Sequence, residues 1–496
     1  MLNYSKKLDR RILIPILIIF AVFLLANTMQ TGFAANVNVD NSTAGGGILQ
    51  GLDDCIDPDN TITLADGNYT GTNNTGIIIN KNVTIKGSSA DNVIIDAEKA
   101  RRIFIINNNL NVTFINITFI NGNESVGPGG AVAITDFSTV TFIQCKFENN
   151  TASTMGGGIY SRSNTTIISC SFINNSAYNG GGIFVAYGFV NITNSFILNN
   201  TADYENAGIV VSSCPVFYVV NTTISGNIGG NNAGMYIYTG AINQTMNGII
   251  LDSIITNNYA NNHGGGVSIS AQGQDSIISC NITNSIISSN VAGTNGGGIW
   301  VTADRNAIVN VNIFNSTMND NSADNNGGAI YSRPHDNSSA DIEVIVGGSD
   351  LSGNSAGNDG GGVSSSTGDG SSGDSSVIID DSTINDNNAG NNGGALSSNT
   401  GENSSGDSTV IVSGSDLSDN SAGNDGGAVS SSTGDGSSGD STVIIDDSTI
   451  NDNNAGNNGG ALSSNTGENS TGNSIIIVID SDIENNTAGN NGDTAS

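Results

Sequence analysis

The sequence predicts an all-β fold, a right-handed parallel β-helix (solenoid) of about fifteen coils, on three observations. The motif Asn-x-Gly-Gly-(Ala/Gly)-(Ile/Val/Leu), led by Phe/Ile-x-x-Asn-Asn, recurs a dozen times, with aliphatic anchors running from Val132, Ile159 and Ile183 to Val429 and Leu462 at spacings of 24 to 33 residues. A repeat of that size is one supersecondary unit that buries its apolar face only by stacking on its neighbours. Within a repeat the apolar residues come in short alternating runs, such as Val140, Phe142 and Ile143 before Cys145 and Phe147, which is strand periodicity; no run is spaced like an amphipathic helix. Between the runs stand Asn-Asn and Gly-Gly pairs, which turn the chain because Gly accepts positive φ and Asn hydrogen-bonds its own backbone. Two or three strands per coil, each pairing with its equivalent one coil away at about 4.8 Å, give a rod.

Residues 1–35 read as a signal peptide or N-terminal membrane anchor. Lys6, Lys7, Arg10 and Arg11 precede an apolar run from Ile12 to Leu25, and the small residues Gly32 and Ala34 follow. That run falls short of the roughly twenty residues a spanning helix needs, which favours cleavage near Ala34 or Ala35 over retention. On either reading the repeats are exported. Residues 36–131 form entry coils, 132–340 the coils with 24–32-residue repeats, and 341–496 Ser/Gly/Asp-rich coils at a constant 33 residues.

That constant spacing sets the register. Asn321, Asn354, Asn387, Asn420, Asn453 and Asn486 share one column, where stacked amides donate to one neighbour and accept from the other, and Ala323 to Ala488 form a second column beside it. The longer coils add residues at one place, as in Ser-Thr-Gly-Asp-Gly-Ser-Ser-Gly-Asp between Val363 and Asp381, so the added loops build a ridge along one side. The last repeat runs from Gly492 into Asp493-Thr494-Ala495 without a polar cap. An open coil exposes unpaired backbone, so the expectation is a missing anchor, a truncation, or end-to-end association.

The chain carries a formal charge of -32, which becomes -35 once the first 35 residues, with four basic and one acidic residue, are removed; no Lys or Arg follows Arg333. Such a surface excludes nucleic acid and anionic lipid as partners and leaves the N-terminal segment as the only membrane contact. About twenty Asn-x-Ser/Thr sequons follow the signal and support glycosylation weakly in so Asn-rich a chain.

Three groups of candidate site residues emerge. The residue after each anchor points outward, and that column holds Tyr160, Phe184, Tyr236, Trp300 and Tyr331, an aromatic stripe that could stack sugar rings or simply pack against itself. The loop ridge places Asp369, Glu402, Asp435 and Glu468 on one column and Asp374, Asp407 and Asp440 on another. Calcium would relieve their repulsion and is the one cofactor the ridge would take; solvated, splayed loops are the alternative. Cys145 and Cys170 occupy equivalent places one coil apart, near enough for a disulfide, although an inward Cys is also an ordinary small core residue. Catalytic machinery is not evident: the arginines are scattered, His263 and His335 stand alone in turns, and Asp380 with Asp381 point to opposite faces of a strand.

The Phe-x-x-Asn and Gly-Gly-(Ala/Gly)-Ile tetrads, as in Phe147-Glu148-Asn149-Asn150 with Gly157-Gly158-Ile159, resemble the repeat of the polymorphic outer-membrane proteins. The stretch through Thr61-Ile62-Thr63-Leu64 and Asn82-Val83-Thr84-Ile85-Lys86-Gly87 resembles the entry coils of pectin-lyase-like β-helices and archaeal adhesin-like proteins. The resemblance implies surface display and adhesion, with surface glycans or envelope proteins as partners. It departs from the outer-membrane family in lacking that family's C-terminal β-barrel, so an envelope without that route is expected. The alternatives are a polysaccharide lyase or glycosidase on the same fold, and a spacer without a ligand.

Overall fold

The computed structural model describes residues 36–42, 46–55, 60–492 and 494–495; the expected signal lies outside them. No helix among the described residues is long and apolar enough to cross a membrane. The chain winds as a right-handed parallel β-helix of about 13 turns, and every strand pair is parallel, with each strand hydrogen-bonded to its equivalent one coil away. Four paired segments make up a coil, one more than expected. One coil runs through Ile277–Thr283 (face 1), Ile286–Ser288 (face 2), the two-residue Val291–Ala292 (face 3) and Ile299–Ala303 (face 4). Across the rod these faces stack 16, 9, 13 and 14 strands, with two more face-2 strands paired at the far end. Complete four-faced coils are fewer than fifteen because face 3 begins only at Asn123–Glu124.

Each part of the repeat motif has a mechanical task. In Asn-Asn the first residue takes the left-handed conformation that turns face 2 into face 3, as at Asn149, Asn174 and Asn199 with φ of 55°, 54° and 53°; Asn tolerates this region better than other non-glycine residues. The second Asn is the ladder rung. Asn258 Nδ2 donates to Asn290 Oδ1 (3.0 Å) and to the Ile224 carbonyl (3.0 Å), while its own Oδ1 accepts from both Asn227 Nδ2 (2.9 Å) and the Asn227 backbone N–H (3.1 Å). The column predicted from Asn321 onward therefore extends back through Asn150, twelve rungs in all, each bonded to the next. In Gly-Gly the first residue has positive φ (Gly296, 67°), and the second has no room for a side chain: a Cβ on Gly297 would lie 2.4 Å from the Ser322 carbonyl and 2.5 Å from that of Gly328. The anchors from Val132 to Leu462 all point inward and are buried.

The core changes along the rod. Near the start it is a file of stacked rings, Phe119 on Phe147 (4.7 Å) and Phe147 on Phe172 (4.5 Å), continued by Ile197, Ile224, Ile255 and Ile287 in the same column. From Ser332 onward the second inward position of face 4 is serine, and a buried hydroxyl chain runs Ser365, Ser375, Ser398, Ser408, Ser431, Ser441 at 2.8–3.0 Å within each coil. The Ser/Gly/Asp-rich region after residue 340 is thus packed as regularly as the rest. One outward column there alternates: Thr317, Asp350, Thr383, Asp416 and Thr449 put a carboxylate on every second coil, and residues 355–420 recur with few changes as 421–486.

One helix, Gly47–Asp54, was not expected. Ile48 and Leu52, four apart, share its buried face, and Gly51 lets it lie against Val39 and Ile62 at the first coil.

Asn258→Ala removes a rung from the middle of the ladder and strands the amide donors and acceptors of both neighbours, so it should cost about 1–3 kcal/mol in denaturant unfolding. Asn486→Ala, at the last rung, should cost clearly less.

Candidate functional site

The five predicted stripe residues do form an outward column on face 4, with Tyr160 opposite Phe184 and Trp300 opposite Tyr331. They are not, however, an open platform. Phe184, Tyr236 and Tyr331 are buried and Tyr160 and Trp300 half-buried, because the chain entering the double glycine folds back over the outer side of face 4. Asn232 accepts a hydrogen bond from Ser268 Oγ on that face (2.7 Å), and the His263 ring covers Trp300 at 4.6 Å with its Nδ1 against Thr294 Oγ1 (2.6 Å). Burial and the nearby His335 hold the His263 pKa below the usual imidazole range. Phe184, Ala186 and Val210, with Met155, Tyr160 and Tyr238 against them, make a second small core. Burial pushes the Tyr331 hydroxyl up to about 12. Strand alternation placed these side chains on the correct side of the sheet but could not show the covering segment.

Exposed aromatics stand instead at the corner between faces 4 and 1. Phe137 is 81% exposed and Tyr187 59%, and both hold positive φ (61° and 65°), a conformation bulky residues rarely adopt. Between them in the stack lies Arg162. Its Nε pairs with Asp136 Oδ1 at 2.8 Å and its guanidinium lies 5.2 Å from the Tyr187 ring centroid, while burial raises the Tyr160 hydroxyl and the Arg162 charge partly opposes that. At the next corner round, Tyr178 and Tyr204, about half exposed, stack at 4.9 Å and 4°. Sequence reasoning missed the Arg162 cluster because its members share no column: they sit in corners of different length. The readable signal was two large aromatics at turn positions that other coils give to Asn, Asp, Ser or Gly.

The acidic ridge is ordered rather than splayed. Asp407 and Asp440 donate their backbone N–H to the carboxylates of Asp374 and Asp407 (2.8 Å each), Asn473 does so to Asp440 (2.7 Å), Glu402 to Asp369 (3.2 Å) and Glu468 to Asp435 (2.8 Å). Each such carboxylate receives a charge-assisted bond from the next coil. No group of three or more His, Cys, Asp or Glu among the described residues is placed to hold a metal ion.

Of the two readings of Cys145 and Cys170, a disulfide or ordinary small core residues, the structure has the second. Both are free and buried, as are Cys55, Cys214 and Cys280. The two thiols do stack, but each is a rung of another ladder: Cys170 Sγ accepts from the Cys145 N–H (3.3 Å) and points back at the Ile168 carbonyl (3.3 Å). Serine or threonine fills the same place in the following coils, from Ser195 and Thr222 to Ser448, each hydroxyl taking the N–H of the coil before. Burial raises the Cys145 thiol well above its ordinary value and lifts Cys214 and Cys280 to about 12.

The geometry therefore defines a parallel β-helix rod with an exposed aromatic–cation cluster at the corner between faces 4 and 1. The chain is a β-helix protein in which two segments, residues 144–162 and 315–333, match the Chlamydia polymorphic membrane protein (Chlamydia_PMP) repeat. No curated protein sequence matches the chain. Among solved structures, the catalytic unit of the thermostable GH87 α-1,3-glucanase from Streptomyces thermodiastaticus strain HF3-3 is 11% identical, with a TM-score of 0.34 over 94% of this chain and 70% of that one. The PL6 family alginate lyase AlyGC is 10% identical, with a TM-score of 0.23 over 92% of this chain and all of that one. At these values neither defines a site or a reaction here.

Two outcomes are expected. A maleimide probe at pH 8 should label none of the five thiols of the folded chain and all five in denaturant, read by intact mass; rapid native labelling of Cys145 or Cys170 would contradict the ladder. Burial raises the carboxyls of Glu205 and Asp359 above their ordinary 4.5 and 3.8. The native state then binds protons at higher pH than the unfolded chain, so their contribution is full below those ordinary values and is lost as pH rises through the folded ones. Thermal stability should increase from pH 7 to pH 5, and less so in Asp359→Asn.

Proposed function

We propose that this chain is an exported, cell-surface β-helix protein of the adhesin type that binds glycans at the corner formed by Phe137, Tyr160, Arg162 and Tyr187. The observation that carries the reading is the pair of exposed aromatics held at positive φ around an ion-paired arginine. Strained residues on a rigid scaffold persist where a function keeps them, and a solvated aromatic face beside a fixed guanidinium and carboxylate offers both the stacking surface and the hydrogen bonds a sugar needs. The repeat family supports surface display. The acidity supports an exposed, soluble rod and argues against nucleic acid as a partner. Arg102, Arg162 and Arg333 are each engaged by carboxylates, which supports binding over a lyase. No cofactor is required: with the ridge carboxylates bonded to neighbouring coils, calcium is expected to be dispensable.

Glycan-array and whole-cell binding by the full chain tests this. Phe137→Ser with Tyr187→Ser should lower affinity at least tenfold, about 1.4 kcal/mol, with binding unchanged on chelation. Trp300→Ala, on the covered column, should retain binding. Absence of binding to every glycan and cell type would leave a spacer, and binding untouched by the double variant would move the site elsewhere.

A further inference from the structure

The corner between faces 1 and 2 departs from its own pattern on the same coils as the corner between faces 4 and 1. From Asn116 to Asp480 each residue of that first corner column holds positive φ, and all but Gln144 (53°) and Ser169 (54°) are Asn, Asp or Gly, the types that enter this region at least cost. Gln144 follows the strand Thr139–Ile143, whose other end is Phe137, and Ser169 follows Asn164–Ile168, whose other end is Arg162. The third strand, Val190–Thr193, runs from Tyr187 toward Phe196, whose ring is 51% exposed. Three adjacent strands of face 1 thus carry unusual residues at both ends.

At the Phe196 end the surface is hollowed. Residues 87–92 overhang the next two coils, tied down where Thr118 Oγ1 donates to the Ala90 carbonyl (2.6 Å) and Lys146 Nζ pairs with Asp91 (2.5 Å). Between this overhang and the Phe196 ring lies a groove of about 350 Å³ lined by Gln144, Lys146, Ser169 and Ser171, within the range of about 300–1,000 Å³ for small-ligand sites. From the groove back to the corner at Tyr187 the outward side chains, among them Thr139, Thr141, Asn164 and Asn191, are hydroxyls, amides and the aliphatic Ile143 and Ile168, and no strand of the three carries a formal charge.

We propose that, given glycan binding at the corner of Phe137, Arg162 and Tyr187, the ligand is a neutral, linear oligosaccharide that crosses face 1 along these strands and seats another of its rings in the groove, stacked on Phe196. The track is about 10 Å wide at 4.8 Å between strands and roughly 17 Å long at 3.3 Å per residue, too long for a single sugar ring and flanked at both ends by aromatic faces. Gln144, Ser169 and Ser171 supply donors and acceptors for sugar hydroxyls. The charges select a neutral ligand. Arg162 and Lys146 are already paired with Asp136 and Asp91, so an anionic glycan would have to displace a carboxylate at either end, and a chain of net charge -32 repels it from a distance. An extended peptide fits less well, since each of the three strands is hydrogen-bonded on both sides to neighbouring coils and offers no free edge.

Titration calorimetry of the full-length chain with neutral malto-, cello-, manno- and chito-oligosaccharides of increasing length tests the track. Affinity should rise with length in the series that binds and level off once the ligand reaches Phe196. Phe196→Ser should lower affinity for the longest member about three- to tenfold, the range of one aromatic stacking contact, and leave the shortest measurable member unchanged. Phe137→Ser with Tyr187→Ser should weaken both. Gln144→Asn, a residue other coils use at this turn, should weaken the long ligand while the melting temperature holds or rises. Affinity that does not grow with length, or that Phe196→Ser leaves intact while the corner double variant abolishes it, overturns the track and leaves the corner site standing. Binding untouched by the corner double variant, or no binding of any series, overturns both. Tighter binding of oligogalacturonates of equal length overturns the assignment of a neutral ligand.

Discussion

Every residue in this chain must be acceptable to its equivalent one strand spacing away, and that stacking constraint governs the rest of the molecule. Parallel pairing of coil on coil satisfies the backbone of the faces, but it leaves the corners, where the chain turns and N–H groups point along the rod axis. The asparagine ladder closes one corner and the serine, threonine and cysteine ladder another. In both, a side-chain acceptor of one coil takes the N–H of the coil before it, so the polar groups a turn would strand are used to join coils. The double glycine belongs to the same logic, since the space a Cβ would occupy at Gly297 is filled by the carbonyls of the next coil.

Much of this was legible because it is periodic. The anchors, the inward direction of face 4, the Asn column from Asn321 and the loop ridge follow from spacing and strand alternation, and the structure contains all of them. What escaped were features set by chain outside the strands. The aromatic column from Tyr160 to Tyr331 is outward yet covered, because the segment before the double glycine folds over it. Cys145 and Cys170 stack as predicted, but each sulfur is committed to a neighbouring N–H. The Phe137, Arg162 and Tyr187 cluster arises from corners of unequal length, which no single period brings into alignment.

The core shows how little apolar content a solenoid needs once the ladders are in place. Phenylalanine stacks near the start give way to isoleucine, then to serines that hydrogen-bond to one another through the last third. A globular domain of such composition would bury too little apolar area to fold. Here each coil need only match its neighbour, and buried hydroxyls do so when every one has a partner.

The alternation Thr317, Asp350, Thr383, Asp416, Thr449 has a consequence for how such a rod changes length. Gaining an Asp-bearing coil or losing a Thr-bearing one would set two carboxylates on adjacent rungs of this column at about 5 Å, at a cost of about 1 kcal/mol in water and more where partly desolvated, whereas the opposite change would set two threonines together. Gaining or losing two leaves the pattern intact. The 66-residue pair is therefore the unit that preserves this column, and residues 355–420 recur at that length, with few changes, as residues 421–486.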